Sequence, residues 1–286
     1  MAKKLPQWFK KKLPPDKDRK KTRELLKSLN LKTVCQEAHC PNIGECFSKK
    51  TATFMILGKT CTRNCKFCAV IHGKGEKVDP TEPLNIAKAV EKLKLKHVVI
   101  TSVTRDDLKD GGVGQFISTI KEINKLNSNI IIEILTPDFK GDKIILRKLV
   151  EANFDIFNHN IETVPSLYNK VRPEANYKQS LSVLYLIKKL KPNILTKSGI
   201  MVGLGEKERE VIEVVKDVKQ CNCDILTIGR GLQPSKNHVK INEFVTLKQF
   251  VEYKEIAEDL GFKAVSSGPF VRSSYKSNEL YIECLK

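Results

Sequence analysis

Long apolar runs are missing from this chain of 286 residues. No stretch approaches the roughly 18 apolar residues that a bilayer-crossing helix needs, so no membrane span is expected. The N-terminus lacks the apolar core of a secretory signal, being rich in Lys and Pro instead. It is also poor in Ser and reaches acidic residues by Asp16, unlike a transit peptide. No internal repeat and no interior linker divides the chain. Basic and aromatic residues are not interleaved as on a single-strand nucleic-acid surface, and no nucleic-acid partner is expected. The hydrophobic fraction of 41% is ordinary for a globular protein. The net charge is +18, from Lys and Arg spread throughout rather than gathered in one block. Such a balance suits solvated faces or an acidic partner.

Nine cysteines in a chain without secretory features argue for metal or redox chemistry rather than a disulfide framework. Three of them stand in Cys61-Thr-Arg-Asn-Cys65-Lys-Phe-Cys68, a C-x3-C-x2-C spacing after the apolar run Phe54 to Leu57. Zinc sites usually close with four ligands. Three thiolates suit an iron–sulfur cubane with one open iron. An earlier set, Cys35, Cys40 and Cys46, has the spacing C-x4-C-x5-C and encloses His39, Pro41 and Gly44. Pro41 and Gly44 predict a loop there rather than a helix. Three further thiols without a fourth again suggest a cluster with one unusual ligand. Cys221, Cys223 and Cys284 belong to neither set and read as structural thiols.

From Thr51 onward, short β-branched runs alternate with helical stripes. Strands are predicted over 51–57, 97–101, 130–135, 154–157, 194–202 and 224–228. Helices are predicted over 83–94, 113–126, 177–190 and 206–219, and a short one over 22–29. Alternation of this kind gives a parallel sheet with helices outside. The strand ends carry polar or Gly-rich loops: Thr101 to Gly112, Leu135 to Phe139, Asn158 to Thr163, Gly199 to Glu206 and Gly229 to Pro234. Ligand groups belong at such ends. The basic arm Lys10-Lys11-Lys12-Leu13-Pro14-Pro15 could wrap the domain, touch a partner or be a solvated tail.

The C-x3-C-x2-C motif with Phe67 resembles the radical S-adenosylmethionine (AdoMet) enzymes. The order of the two cysteine sets, the five strand-end stretches and Arg272-Ser273-Ser274-Tyr275 resemble the lipoyl synthases within that group, over roughly residues 33–276. That resemblance implies an α/β fold, a partial (β/α)6 radical AdoMet barrel over 51–262. An N-terminal extension, 1–50, would carry the auxiliary-cluster cysteines, and a C-terminal extension, 263–286, a serine ligand. It implies two [4Fe-4S] clusters and AdoMet as cofactors. Cys61, Cys65 and Cys68 would hold the cluster that cleaves AdoMet. Cys35, Cys40 and Cys46, with Ser274 or alternatively Ser273, would hold the auxiliary one. Thr101, Ser102, Glu133, Asn160 and Arg172 become candidate AdoMet contacts. The implied reaction is sulfur insertion at C6 and C8 of an octanoyl chain on a carrier lysine, with the auxiliary cluster as sulfur donor. An unactivated C–H bond has no acidic proton, so a cofactor radical must open it.

The implied partners are octanoylated lipoyl carriers (glycine cleavage H protein, 2-oxoacid dehydrogenase E2), an electron donor such as flavodoxin or ferredoxin, and an iron–sulfur carrier. The implied location is the cytoplasm. Gly231 departs from the pattern, which has a larger, often aromatic residue there. Other sulfur-transfer radical enzymes, such as biotin synthase or a methylthiotransferase, fit the early cysteine set and the terminal motif less well. A metal-binding module on nucleic acid would rest on charge and cysteines alone.

Overall fold

The computed structural model describes residues 16–49, 51–126 and 129–286; the basic arm at 10–15 lies outside them. An eight-stranded sheet organises the chain. Its strands are β1 (Lys32–Thr33), β2 (Thr53–Ile56), β5 (His97–Ser102), β6 (Ile131–Leu135), β7 (Ile156–Asn158), β8 (Leu195–Val202), β9 (Ile225–Arg230) and β10 (Ala264–Gly268), adjacent in that order. Only β1 runs antiparallel, against β2; β2 through β10 pair in parallel. A two-stranded ribbon, β3 (Thr60–Cys61) and β4 (Ile71–His72), brackets the second cysteine motif.

The crossovers are helical, as parallel strands require. They are α4 (Glu82–Leu93), α5 (Val113–Asn124), α6 (Lys143–Val150), α8 (Tyr177–Leu190), α9 (Glu208–Gln220) and α10 (Leu247–Asp259). The remaining helices are α1 (Asp16–Ser28), α2 (Val34–Glu37), α3 (Ile43–Ser48), α7 (Tyr168–Val171) and α11 (Ser277–Glu283). The sequence stripes are the buried faces: Ile86, Ala89, Val90 and Leu93 on α4, and Val211, Val214, Val215 and Val218 on α9. Side-chain caps start several helices. Asp142 accepts from the amides of Ile144 and Ile145 at 2.7 and 3.2 Å, and Asn176 from that of Gln179 at 2.9 Å.

Four features differ from the sequence expectations. α6 was not expected because it is short: Leu146 and Leu149 are buried while Ile144 is exposed. α10 hides its stripe, because Leu247 and Val251 are exposed between the buried Phe250, Tyr253 and Ala257. Ser266 to Gly268 belongs to β10 and pairs with β9, so the sheet extends into the stretch assigned to the C-terminal extension. The first cysteine set is two short helices rather than a loop. α2 is capped by Thr33, and Gly44 is tolerated in the first turn of α3, with Pro41 between the helices.

Beyond β10 the tail turns back along the inner face of the sheet. The Cβ of any other residue at Gly229 would lie 2.3 Å from the carbonyl oxygen of Val271. One at Gly199 would lie 3.2 Å from Ser273 Oγ and 2.6 Å from Thr227 Oγ1. Glycine at these two positions lets the tail approach the strands closely. α11 then packs at the start of the strands. Leu280 meets Ile225 and Ala264, and Tyr281 meets His97 edge-on with ring centroids 6.1 Å apart.

Candidate active site

The C-terminal ends of the strands open on a cavity of about 330 Å³. The motif loop from Cys61 to Cys68 forms one wall. It is pinned through Arg63, which stands between the first two cysteines. Its guanidinium donates to Asp106 at 2.6 and 3.1 Å and to Asp138 at 2.9 and 2.7 Å. Burial opposes both ends of the Arg63–Asp138 pair, yet their mutual attraction holds the Asp138 carboxyl well below, and Arg63 well above, the usual range. Backbone bonds add to this: Lys66 N–H donates to Val171 O at 2.8 Å, and Val239 N–H to Lys66 O at 2.7 Å. The Cys61 sulfur accepts from the amides of Arg63 and Thr104 at 3.4 and 3.3 Å.

The first cysteine set faces this loop and is tied to the tail. Asn42 Nδ2 donates to Phe270 O at 2.7 Å, and the Tyr275 hydroxyl reaches the Glu45 carboxylate at 2.9 and 3.1 Å. Cys35, Cys40, Cys61, Cys65 and Cys68 all line the cavity, as do Ser273 and Ser274. Cys46 is not among the lining residues; it is partly buried against the core. Cys221 and Cys223 are buried in the core, away from the cavity.

Of the candidate AdoMet contacts, Thr101, Ser102, Asn160 and Arg172 line the cavity. Thr101 donates to Leu135 O at 2.9 Å, while the buried Ser102 hydroxyl and Asn160 Oδ1 have no partner in the protein. Arg172 Nη1 lies 3.1 and 3.2 Å from the carbonyls of Asn160 and Ile161, so backbone holds it rather than a core ion pair. Glu133 requires correction. It does not line the cavity, but lies two residues before the strand end, fully buried against Lys197. Burial pushes its carboxyl up, but the Lys197 ammonium, His97 and Asn158 together outweigh burial and bring it down to about 2.

The acid that does line the cavity is Glu162, which stood unassigned in the loop after β7. Its place in the polar stretch Asn158 to Thr163 at a strand end is the signal that could have found it. Asn160 Nδ2 bonds its Oε1 at 2.9 Å, and burial pushes its carboxyl up against the pull of Arg172. His159, Arg230 and Arg272 also line the cavity without having been expected there. Arg172, Arg230 and Arg272 thus face one lining carboxylate among the described residues, while the charge of Arg63 is taken up by Asp106 and Asp138. A cationic wall of this kind suits an anionic cluster.

The thiols fit iron better than they fit other roles. None is in a disulfide. Burial pushes Cys35 up to about 11 and Cys68 up to about 12, so neither is a free nucleophile near neutral pH. Among the described residues no three His, Cys, Asp or Glu side chains converge on a point that would hold one metal ion. A cubane offers a separate iron to each thiolate, and its ligands need not share a centre.

Comparison with known proteins agrees with this arrangement. Residues 55–218 match the radical SAM superfamily, and residues 1–40 match the N-terminal domain of lipoyl synthase of the radical SAM family. A lipoyl synthase of Caldanaerobacter subterraneus subsp. tengcongensis is 52% identical, with 97% of each chain covered. One of Alkaliphilus metalliredigens is 52% identical over 97% of this chain and 96% of the other. Among solved structures, methylornithine synthase superposes with a TM-score of 0.57 at 14% identity, covering 92% of this chain and 85% of that one. Streptococcus suis SuiB bound to S-adenosylmethionine gives 0.59 at 13%, covering 88% and 62%. These two likenesses show the shared barrel fold, and the sequence relatives carry the rest: the chain belongs to the lipoyl synthase family of radical SAM enzymes.

Proposed function

We propose that one cavity holds two clusters and AdoMet, with Cys61, Cys65 and Cys68 for the first cluster and Cys35, Cys40, Cys46 and a tail serine for the second. The carrying observation is that five of the six thiols and both tail serines face one space. When bound, these groups supply the electron, the hydrogen-abstracting radical and the sulfide that no side chain here could provide. The protein's part is to hold and orient. Two backbone amides donate to the Cys61 sulfur, and burial pushes the Cys65 thiol up while the Arg172 guanidinium offsets part of that rise. Arg172 can also pair with the methionyl carboxylate. Ser102, Asn160 and Glu162 offer hydroxyl, amide and carboxylate to the amino and ribose groups, and Thr101 contributes through its fixed hydroxyl. Ser273 Oγ already accepts from Asn160 Nδ2 at 2.6 Å, which supports Ser274 as the fourth ligand beside Cys35, Cys40 and Cys46.

The substrate in this reading is an octanoyl-lysine on a lipoyl carrier, either glycine cleavage H protein or a 2-oxoacid dehydrogenase E2. A flavodoxin or ferredoxin supplies electrons, and an iron–sulfur carrier restores the second cluster, all in the cytoplasm. No helix among the described residues is long and apolar enough to cross a membrane.

The test compares three variants for 5′-deoxyadenosine, lipoyl product and iron per chain. Replacing Cys61, Cys65 and Cys68 by Ala should abolish both products. Replacing Cys35, Cys40 and Cys46 should keep 5′-deoxyadenosine and stop sulfur insertion. Ser274→Ala should retain both clusters on three thiolates each and lose most insertion. Lipoyl product from the second variant would overturn the sulfur-donor assignment.

A further inference from the structure

Glu133 and Lys197 form a fully buried ion pair inside the barrel. Lys197 Nζ lies 3.0 and 3.2 Å from the two carboxylate oxygens, and Asn158 Nδ2 donates to Oε1 at 2.9 Å. His97 Nε2 stands 3.4 Å from Oε2. Such a pair stabilises a fold little more than apolar packing would, because both charges must leave water. Its presence calls for another account, and the last donor of Lys197 supplies one. It reaches Ser277 Oγ at 2.7 Å.

Ser277 opens α11, and its hydroxyl lies 3.4 Å from the carbonyl oxygen of Ser273. At the other end of this short segment, Ser273 Oγ is bonded to Asn160. The serine pair is therefore fastened to the loop after β7 on the cavity side and, through Ser277, to β8 on the inner side. Between the fastenings, Lys276 sits at φ 56°, in the left-handed region. A non-glycine residue keeps that conformation only when its surroundings determine it.

We propose that Lys197, Glu133 and Ser277 are positioning residues that latch the tail inside the barrel and set the depth at which Ser273 and Ser274 face the thiols of the first set. The latch rests on the reading of a tail serine as cluster ligand. Glu133 and Asn158 fix the Lys197 ammonium, the ammonium fixes Ser277, and the single turn from Ser273 to Ser277 carries that position to the ligand. The wild type is compared with Ser277→Ala, Ser277→Thr and the double variant Lys197→Met with Glu133→Gln, which leaves no uncompensated buried charge.

In the cluster-free chain, amide hydrogen exchange over 270–276 should rise at least tenfold in Ser277→Ala and in the double variant. The strands should stay protected. In the reconstituted enzyme the same two variants should keep 5′-deoxyadenosine formation, yield at least tenfold less lipoyl product per 5′-deoxyadenosine, and lose the second cluster's iron faster to a chelator. Ser277→Thr, which keeps the hydroxyl, should restore all three. Unchanged exchange in the tail would overturn the latch. Exchange rising throughout the sheet, with both products falling together, would overturn it as an ordinary core pair. A loosened tail with unchanged product ratio and iron retention would support the latch while overturning the serine ligation it is held to serve.

Discussion

His159 shows how far a single residue's surroundings can move its chemistry. Its Nδ1 lies 3.0 Å from the Thr136 carbonyl oxygen, which can only accept, so Nδ1 carries the proton. Its Nε2 has no partner in the protein. Burial first, and Arg172 second, bring its pKa down to about 4. The unfolded chain binds that proton near pH 6.5, so between about 6.5 and 4 the unfolded state holds more protons. Stability is therefore full above 6.5 and falls as the pH drops through this window, by up to ~1.4 kcal/mol per pH unit. Glu162, with its carboxyl raised, acts with the opposite sign. Urea unfolding of the cluster-free chain across pH 4 to 7 should thus show a slope that His159→Asn flattens. Equal slopes in the two proteins would refute the assignment. Neither the burial of His159 nor its bare nitrogen could be read from Asn158-His159-Asn160, because both depend on neighbours distant in sequence. The thiols were legible as a group, since their spacing keeps each set close in the chain, and five of the six line one cavity. Glu133 was misplaced because a carboxylate in a strand has the same sequence signal whether it meets a ligand or a buried lysine.

Among the elements, long stripes were read well and short ones were not. Four crossover helices were expected near their observed limits because each shows two or more turns of an apolar face. α6 is too short for that, and β10, ending in Ser266-Ser267-Gly268, lacks β-branched content in its second half. Its strand identity comes from pairing with β9. Gly231, the departure from the family pattern, has a physical place as well. A Cβ there would lie 2.6 Å from Leu204 and 3.3 Å from Ile241, so neighbouring side chains fill the space. Gly229 is less forgiving, since the atom it would meet is a backbone oxygen of the tail. Gly229→Ala should cost about 1–3 kcal/mol through overpacking and push residues 271–274 off the sheet. Sulfur insertion should fall more than tenfold while 5′-deoxyadenosine formation persists. Equal effects on the two products would show that the close approach matters only to stability.

For the whole molecule, charge is the property that reaches beyond contact distance. The chain has 51 basic and 33 acidic residues, an excess of 18. An acidic carrier should be drawn to it by long-range attraction, which raises the association rate and weakens as salt shortens the screening length from about 30 Å at 0.01 M to about 8 Å at 0.15 M. Stopped-flow association with an octanoylated carrier domain should slow by about tenfold over that range. A flat rate would remove electrostatic steering from the account. The threading of the tail along the inside of the sheet has a consequence for biosynthesis. The thiols at 35–68 leave the ribosome first, whereas Ser273, Ser274 and the helix behind them are made after every strand of the sheet. A nascent chain can thus fold most of its barrel with one wall of the cavity still open. In the proposed reading, the thiols at 35–46 are most open to an incoming cluster in that interval, and docking of the tail is the event that narrows the access.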